Sequence, residues 1–180
     1  MEADRLWSQT GLDQHAVLGI HAGSSPPRDK RLPAEKFRIV IQDFLGRFPD
    51  AHVLLFFGPE DADVLPRFSG IDERVILVSD QPLRTVARLI SKLRALLAGD
   101  TGLGHIAAAF GVPVVTLAGP TEVSSTKPWS NENTILRNGD LPCMPCYETA
   151  LYGHCPYDVK CMKGISESQI LETLSPHFSR

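Results

Sequence analysis

The tightest constraint on this chain lies between residues 94 and 120, RALLAGDTGLGHIAAAFGVPVVTLAGP. Residues 95–98 form a short apolar run of the buried-strand kind. The run stops at Gly99-Asp100-Thr101-Gly102, where turn residues meet a helix start. A helix rich in small residues is expected over 103–110, closed by Gly111, and residues 112–117 read as a second buried strand ending at Ala118-Gly119-Pro120. Strand, helix and strand in this order make a βαβ unit, so the two strands run parallel. A helix that begins just past a strand also presents free backbone N–H groups and the positive end of its dipole. Such a turn suits a phosphate or carboxylate.

The same alternation runs through the rest of the chain. Residues 16–20 form a strand candidate, and Pro33 opens a helix on which Phe37, Ile41, Phe44, Leu45 and Phe48 recur at helical spacing. Residues 52–57, HVLLFF, are too continuously apolar for a half-exposed strand and belong inside a parallel sheet. A short helix running to Phe68, a strand over 75–78, a helix over 82–93 and a last strand over 134–136 complete the series. These spacings predict an α/β, Rossmann-like open parallel sheet with helices on both faces. The loops after Ile20, Phe57, Ala98 and Leu117 then share the sheet edge where ligands bind in such folds. Residues 1–15 are polar and aperiodic, which predicts a linker or tail ahead of a domain over 16–180. Residues 138–164 break the pattern as an irregular cysteine-rich excursion. Ser166 and Gln169 then form a capping box for a final helix to about Leu174.

At 180 residues the chain fits one domain with its own core. A net charge of -3 and a pI near 6.0 argue against a nucleic-acid partner. No apolar run approaches the roughly 18 residues of a membrane span, and the first residues lack the apolar segment of a signal peptide. A cytoplasmic protein is the expectation. All four cysteines, Cys143, Cys146, Cys155 and Cys161, fall in the excursion with the spacing C-x2-C-x8-C-x5-C. The pattern suits a structural Zn or Fe held by four thiolates, with free thiols or a disulfide as the other possibility. Trp129 and Tyr147 are read as packing residues.

Two phosphate-suited loops share the predicted edge. Residues 21–31, HAGSSPPRDKR, combine a glycine, hydroxyls and basic side chains without the Gly-Lys-Ser/Thr of a Walker loop. In the other, Gly102-Leu103-Gly104-His105-Ile106-Ala107 matches the Gly-x-Gly-x-x-Gly/Ala dinucleotide fingerprint, and Glu122 follows near the next strand's end. On that match alone the chain is an NAD(P)-binding enzyme, or the glycines serve only helix–strand packing. A third class, a non-catalytic module stapled by metal, rests on the cysteines.

Residues 99–122, GDTGLGHIAAAFGVPVVTLAGPTE, resemble the Asp-(Ser/Thr)-Gly-x-x-His signature, with its later Gly-Pro-Thr, of glycosyltransferase family 9, the heptosyltransferases of lipopolysaccharide synthesis. Residues 21–33 resemble the family's loop of small and hydroxyl residues leading to a basic residue and a Pro-led helix, and the cysteine segment resembles the tail of many members. The resemblance implies the C-terminal, donor-binding half of a GT-B enzyme. Its function would be inverting, metal-independent transfer of heptose from ADP-heptose or a similar nucleotide sugar to a lipopolysaccharide-type acceptor. No cofactor would serve catalysis. The acceptor domain and the general base would lie outside the chain, leaving an inactive fragment, and the full enzyme would work at the inner-membrane face as a peripheral protein.

The resemblance also implies site roles. Lys30, with Ser24 and Ser25, would face the phosphates, Arg28 and Arg31 being its competitors. Thr101 and Gly102 would bind the diphosphate through hydroxyl and backbone N–H. His105 would reach the donor sugar or the diphosphate, and Asp100 would either contact the sugar or act only as an N-cap. Glu60 resembles the carboxylate that holds the ribose hydroxyls, with Asp61 as a near competitor.

Overall fold

The computed structural model describes residues 2–139 and 141–179. Six strands form one sheet: β1 (Val17–His21), β2 (His52–Phe56), β3 (Val75–Val78), β4 (Ala95–Gly99), β5 (Val114–Leu117) and β6 (Asn133–Leu136), in the order β3-β2-β1-β4-β5-β6. Every neighbouring pair is parallel. The helices are α1 (Glu2–Gln9), α2 (Ala34–Arg47), α3 (Leu83–Ile90), α4 (Gly102–Ala109), α5 (Val123–Thr126), α6 (Lys160–Lys163) and α7 (Glu167–Leu174). Among the described residues no helix is long and apolar enough to cross a membrane.

Both faces of the sheet are covered, which is why its strands read as unbroken apolar runs. Side chains of a strand point alternately to the two faces. Leu18, Ile20, Val53, Leu55, Ala95 and Leu97 accordingly pack on one side with Phe37, Ile41 and Phe44 of α2 and Ile170 and Leu174 of α7. Val17, Leu54, Phe56, Leu96 and Ala98 pack on the other with Leu89 and Ile90 of α3 and Ala107 of α4. Burying each of the larger aliphatic side chains contributes about 2 kcal/mol before entropic costs. β1 is central, and at Gly19 a Cβ would lie 2.3 Å from a Leu93 methyl. Only a glycine lets α3's trailing turn approach so closely.

Residues 1–15, expected as a linker or tail, instead hold α1. Ala3 and Trp7 are buried against the α3 side of the sheet, Lys92 Nζ lies 5.4 Å from the centre of the Trp7 ring, and Lys92 pairs with Asp4 at 2.9 Å. The apolar stripe of this helix is a single i, i+4 pair, too short to register as a period. At the other end the capping box forms as expected: Gln169 N–H donates to Ser166 Oγ at 3.2 Å and Ser166 N–H to Gln169 Oε1 at 3.3 Å. The helix it starts, α7, seals α2, and beyond it Phe178 packs edge-on against Phe44 at 4.8 Å.

Candidate functional site

The strand order reverses between β1 and β4, since β2 and β3 lie on one side of β1 and β4 to β6 on the other. Loops leaving the strand ends diverge there and open a crevice. It holds a cavity of about 670 Å³, lined from β1 and its loop by His21, Ser24, Ser25 and Lys30. The loop after β2 adds Gly58, Pro59, Glu60 and Asp61, the start of α4 adds Asp100, Thr101, Gly102 and His105, and Ser125, Thr126 and Tyr147 close the rim. Ser24, Ser25, Lys30, Glu60, Asp100, Thr101, Gly102 and His105, singled out from the sequence for donor binding, thus line one cavity. His21, Ser125, Thr126 and Tyr147 lie there too and were missed.

The wall is organised by Asp61, which is only 3% exposed. Its carboxylate accepts from Ser24 N–H at 3.2 Å, Gly58 N–H at 2.8 Å and Arg31 at 2.9 Å, and stands 3.5 Å from His21 Nε2. Burial alone would raise its pKa, but the His21 ring, the Gly58 N–H and the Arg31 charge outweigh that and hold it at about 2. The carboxylate also explains Gly23, where a Cβ would sit 2.1 Å from Asp61 Oδ2. This separates the two adjacent acids: Asp61 is consumed inside the wall, whereas the Glu60 side chain is exposed on the cavity.

The three basic candidates separate in the same way. Arg28 donates to the Ser24 and Glu60 carbonyls, and Arg31 to Asp61 and to Asp63 at 2.9 Å. Both therefore brace loops, while Lys30 lines the cavity with its Nζ 4.7 Å from the centre of the Tyr147 ring. The cysteine-rich excursion carries that ring. It is tied to the same loop by Gly153 N–H donating to Asp29 at 2.9 Å and Tyr152 OH donating to the Pro27 carbonyl at 3.4 Å. Tyr147, expected to pack, is thus part of the site wall. Trp129, also expected to pack, is 98% exposed.

At α4 the N-cap is Thr101 in extended conformation, not Asp100, because the helix begins at Gly102. Thr101 makes no capping bond; its hydroxyl lies 3.0 Å from His21 Nδ1. The Gly102 and Leu103 N–H groups precede the first bond of the helix, which Gly104 N–H makes to the Thr101 carbonyl at 3.1 Å. They are the free donors expected at such a terminus. Ser24 Oγ is buried without a hydrogen-bond partner among the described residues. Beside this polar cavity lies an apolar slot of about 490 Å³ that shares His21, Gly58, Pro59 and Gly102 and is walled by Phe56, Phe57, Leu83, Val86, Leu103 and Ile106.

One alternative loses its footing. Glu122, offered as the acid of a dinucleotide fingerprint, caps α5 by accepting from Ser124 N–H at 3.1 Å, and Gly104 packs within 3.2 Å of Pro128 as measured from a built Cβ. The glycines of α4 therefore serve a helix start and close packing. The cysteines expected to hold a structural metal are Cys143, Cys146, Cys155 and Cys161. All four are free thiols, and among the described residues no group of three or more His, Cys, Asp or Glu side chains is arranged to hold a metal. Cys146 and Cys161 are buried as small apolar groups, and burial pushes the Cys161 thiol up to about 11.

Sheet order and a cavity at the switch point define an α/β domain of the Rossmann-like class. The chain belongs to glycosyltransferase family 9 (heptosyltransferase), whose model matches residues 2–154. It is 30% identical over 164 residues to lipooligosaccharide heptosyltransferase 2 of Campylobacter jejuni subsp. jejuni serotype O:2, a match covering 87% of this chain and 49% of that protein. The crystal structure of a family 9 glycosyl transferase from Veillonella parvula superposes with a TM-score of 0.83 at 27% identity, over 99% of this chain and 50% of that one. The E. coli heptosyltransferase WaaC, solved with ADP, shares the fold at a TM-score of 0.72 and 18% identity, over 97% of this chain and 48% of that one. The chain spans about half the length of these relatives.

Proposed function

We propose that this chain is the donor-binding, C-terminal half of an inverting GT-B heptosyltransferase and that its cavity takes a nucleoside diphosphate sugar of the ADP-heptose type. The carrying observation is the convergence of three unlike groups from three loops on one volume: Lys30, the open N–H groups at the start of α4, and exposed Glu60. A diphosphate suits the first two and a ribose the third, and the apolar slot beside Glu60 has the size and lining for a base. The ADP in the related E. coli enzyme supports the same choice of nucleotide.

In the proposed reaction an acceptor hydroxyl of a lipopolysaccharide core attacks the anomeric carbon while the bond to the diphosphate breaks. Negative charge grows on the leaving group, and Lys30, the Thr101 hydroxyl and the Gly102 and Leu103 N–H groups are where it is compensated. Asp100 and His105, on the same rim, face the sugar. The general base and the acceptor site are assigned to parts of the enzyme other than these residues, in keeping with a match to half of each relative. The same proposal puts the full enzyme on the cytoplasmic side, in peripheral contact with the inner membrane.

Calorimetry with ADP, UDP, GDP and NADH tests the assignment. ADP binding without NADH binding is the expected result, and no affinity for any nucleotide overturns it. Sugar transfer by this chain alone would overturn the division of labour.

A further inference from the structure

We infer that His21 is a positioning residue that couples binding of the donor's diphosphate to uptake of one proton, through the Thr101 hydroxyl; this rests on the nucleotide-sugar reading of the cavity. His21 ends the central strand, its side chain is only 11% exposed, and it stands on the wall shared by the polar cavity and the apolar slot. Its ring is held at both nitrogens. Nε2 faces the Asp61 carboxylate at 3.5 Å, and Nδ1 lies 3.0 Å from Thr101 Oγ1.

The charge of Asp61 decides which nitrogen carries hydrogen. An ionised carboxylate only accepts, so the hydrogen of a neutral imidazole sits on Nε2. Nδ1 is then an acceptor, and the Thr101 hydroxyl turns its single hydrogen toward it. In that state Thr101 presents lone pairs to the cavity, which repel phosphate oxygens. When the ring takes a second proton, Nδ1–H donates to Thr101 Oγ1, and the hydroxyl hydrogen swings out to the ligand. A diphosphate therefore selects the protonated ring, and the proton comes from solvent.

Other charges bear on the same ring. Arg31 and Arg28 approach Asp61 at 2.9 and 3.9 Å, and Lys30 stands across the cavity. Glu60 and Asp100 lie on the cavity and Asp80 on the slot, and His105 is a second titratable ring on the rim. The bound diphosphate adds negative charge on the Thr101 side, so linkage makes affinity rise as pH falls.

The test is calorimetry with ADP-ribose, whose diphosphate diester does not titrate near neutrality, across a pH series in buffers of different ionisation heat. The wild-type chain should take up protons on binding and lose affinity by up to about tenfold per pH unit on the alkaline side. His21→Asn and Thr101→Val should bind without proton uptake, and Thr101→Val keeps the His21–Asp61 contact should His21→Asn fold poorly. His105→Gln should retain the uptake whatever its affinity. Binding by the wild-type chain with no proton uptake, or uptake that survives in Thr101→Val or vanishes in His105→Gln, overturns the coupling alone. Absence of binding by both ADP and ADP-ribose at every pH overturns the coupling and the nucleotide reading together.

Discussion

Lys30 stands over the face of Tyr147, its Nζ 4.7 Å from the ring centre, so the loop after β1 and the cysteine-rich excursion meet at the cavity rim. An aromatic face holds an ammonium without neutralising it, which leaves the charge available to a ligand. Lys30→Met should weaken ADP binding by about 2 kcal/mol, near thirtyfold in Kd. Tyr147→Ala should cost less, about 0.5–1 kcal/mol, because it removes orientation and not charge. Calorimetry on the two variants reads both, and a larger loss from Tyr147→Ala would reverse the assignment.

Asp61 ties the loop after β2 to the end of β1 and the loop that follows it, and its charge is what the ties need. Asp61→Asn keeps the shape and should lower stability at neutral pH by about 2 kcal/mol, the energy of the shift from 3.8 to about 2. The folded-state value lies below the unfolded one. The stabilisation is therefore present above about pH 4 and disappears as pH falls toward 2. Urea denaturation at pH 7 and at pH 3 should show the gap between wild type and variant closing at the lower pH.

Two glycines of the site should respond oppositely to alanine. At Gly23 the new methyl would meet the Asp61 carboxylate, and at Gly102 a Cβ has nothing within 4 Å. Gly23→Ala should lower the melting temperature steeply. Gly102→Ala should leave stability unchanged or raise it by up to about 1 kcal/mol through helix propensity, yet weaken ADP binding by crowding the open N–H groups. A Gly102→Ala protein with full ADP affinity would remove this helix start from the binding site.

Trp7 tests the docking of α1. Trp7→Ala should destabilise the domain by about 3 kcal/mol, the cost of a large cavity and of a lost lysine–indole contact. A change below a few tenths of a kcal/mol in urea would return residues 2–9 to the status of a tail.

The strands were legible because both faces of the sheet are buried: HVLLFF has no polar face to confuse its reading. Ser24, Ser25, Lys30, Glu60 and the Asp100–His105 stretch were legible as cavity residues because each follows a strand end, and strand ends share an edge in a parallel sheet. What escaped depends on distance in the chain. In the sequence His21 only opens the loop after the strand candidate over 16–20, and only its contacts with Asp61 and Thr101 give it a role. Tyr147 finds Lys30 only in three dimensions, as Trp7 finds Lys92. Glu60 and Asp61 are adjacent carboxylates that sequence cannot rank, because the difference is which of them the chain turns inward. The cysteine spacing marks a cluster, and burial raises the Cys146 and Cys161 thiols within it.

The central place of β1 also sets a schedule for synthesis. Leu18 pairs with Val53 on one side early, but its partner on the other side is Ala95, and α7 closes the layer over Phe44 only near residue 174. Ribosomes add about 5–20 residues per second, so for several seconds β1 exposes an unpaired parallel edge with its apolar side chains uncovered. The nascent chain is thus most prone to misassociation between the appearance of β2 and that of β4, and holding factors acting in that interval should raise the yield of folded protein more than factors added after release.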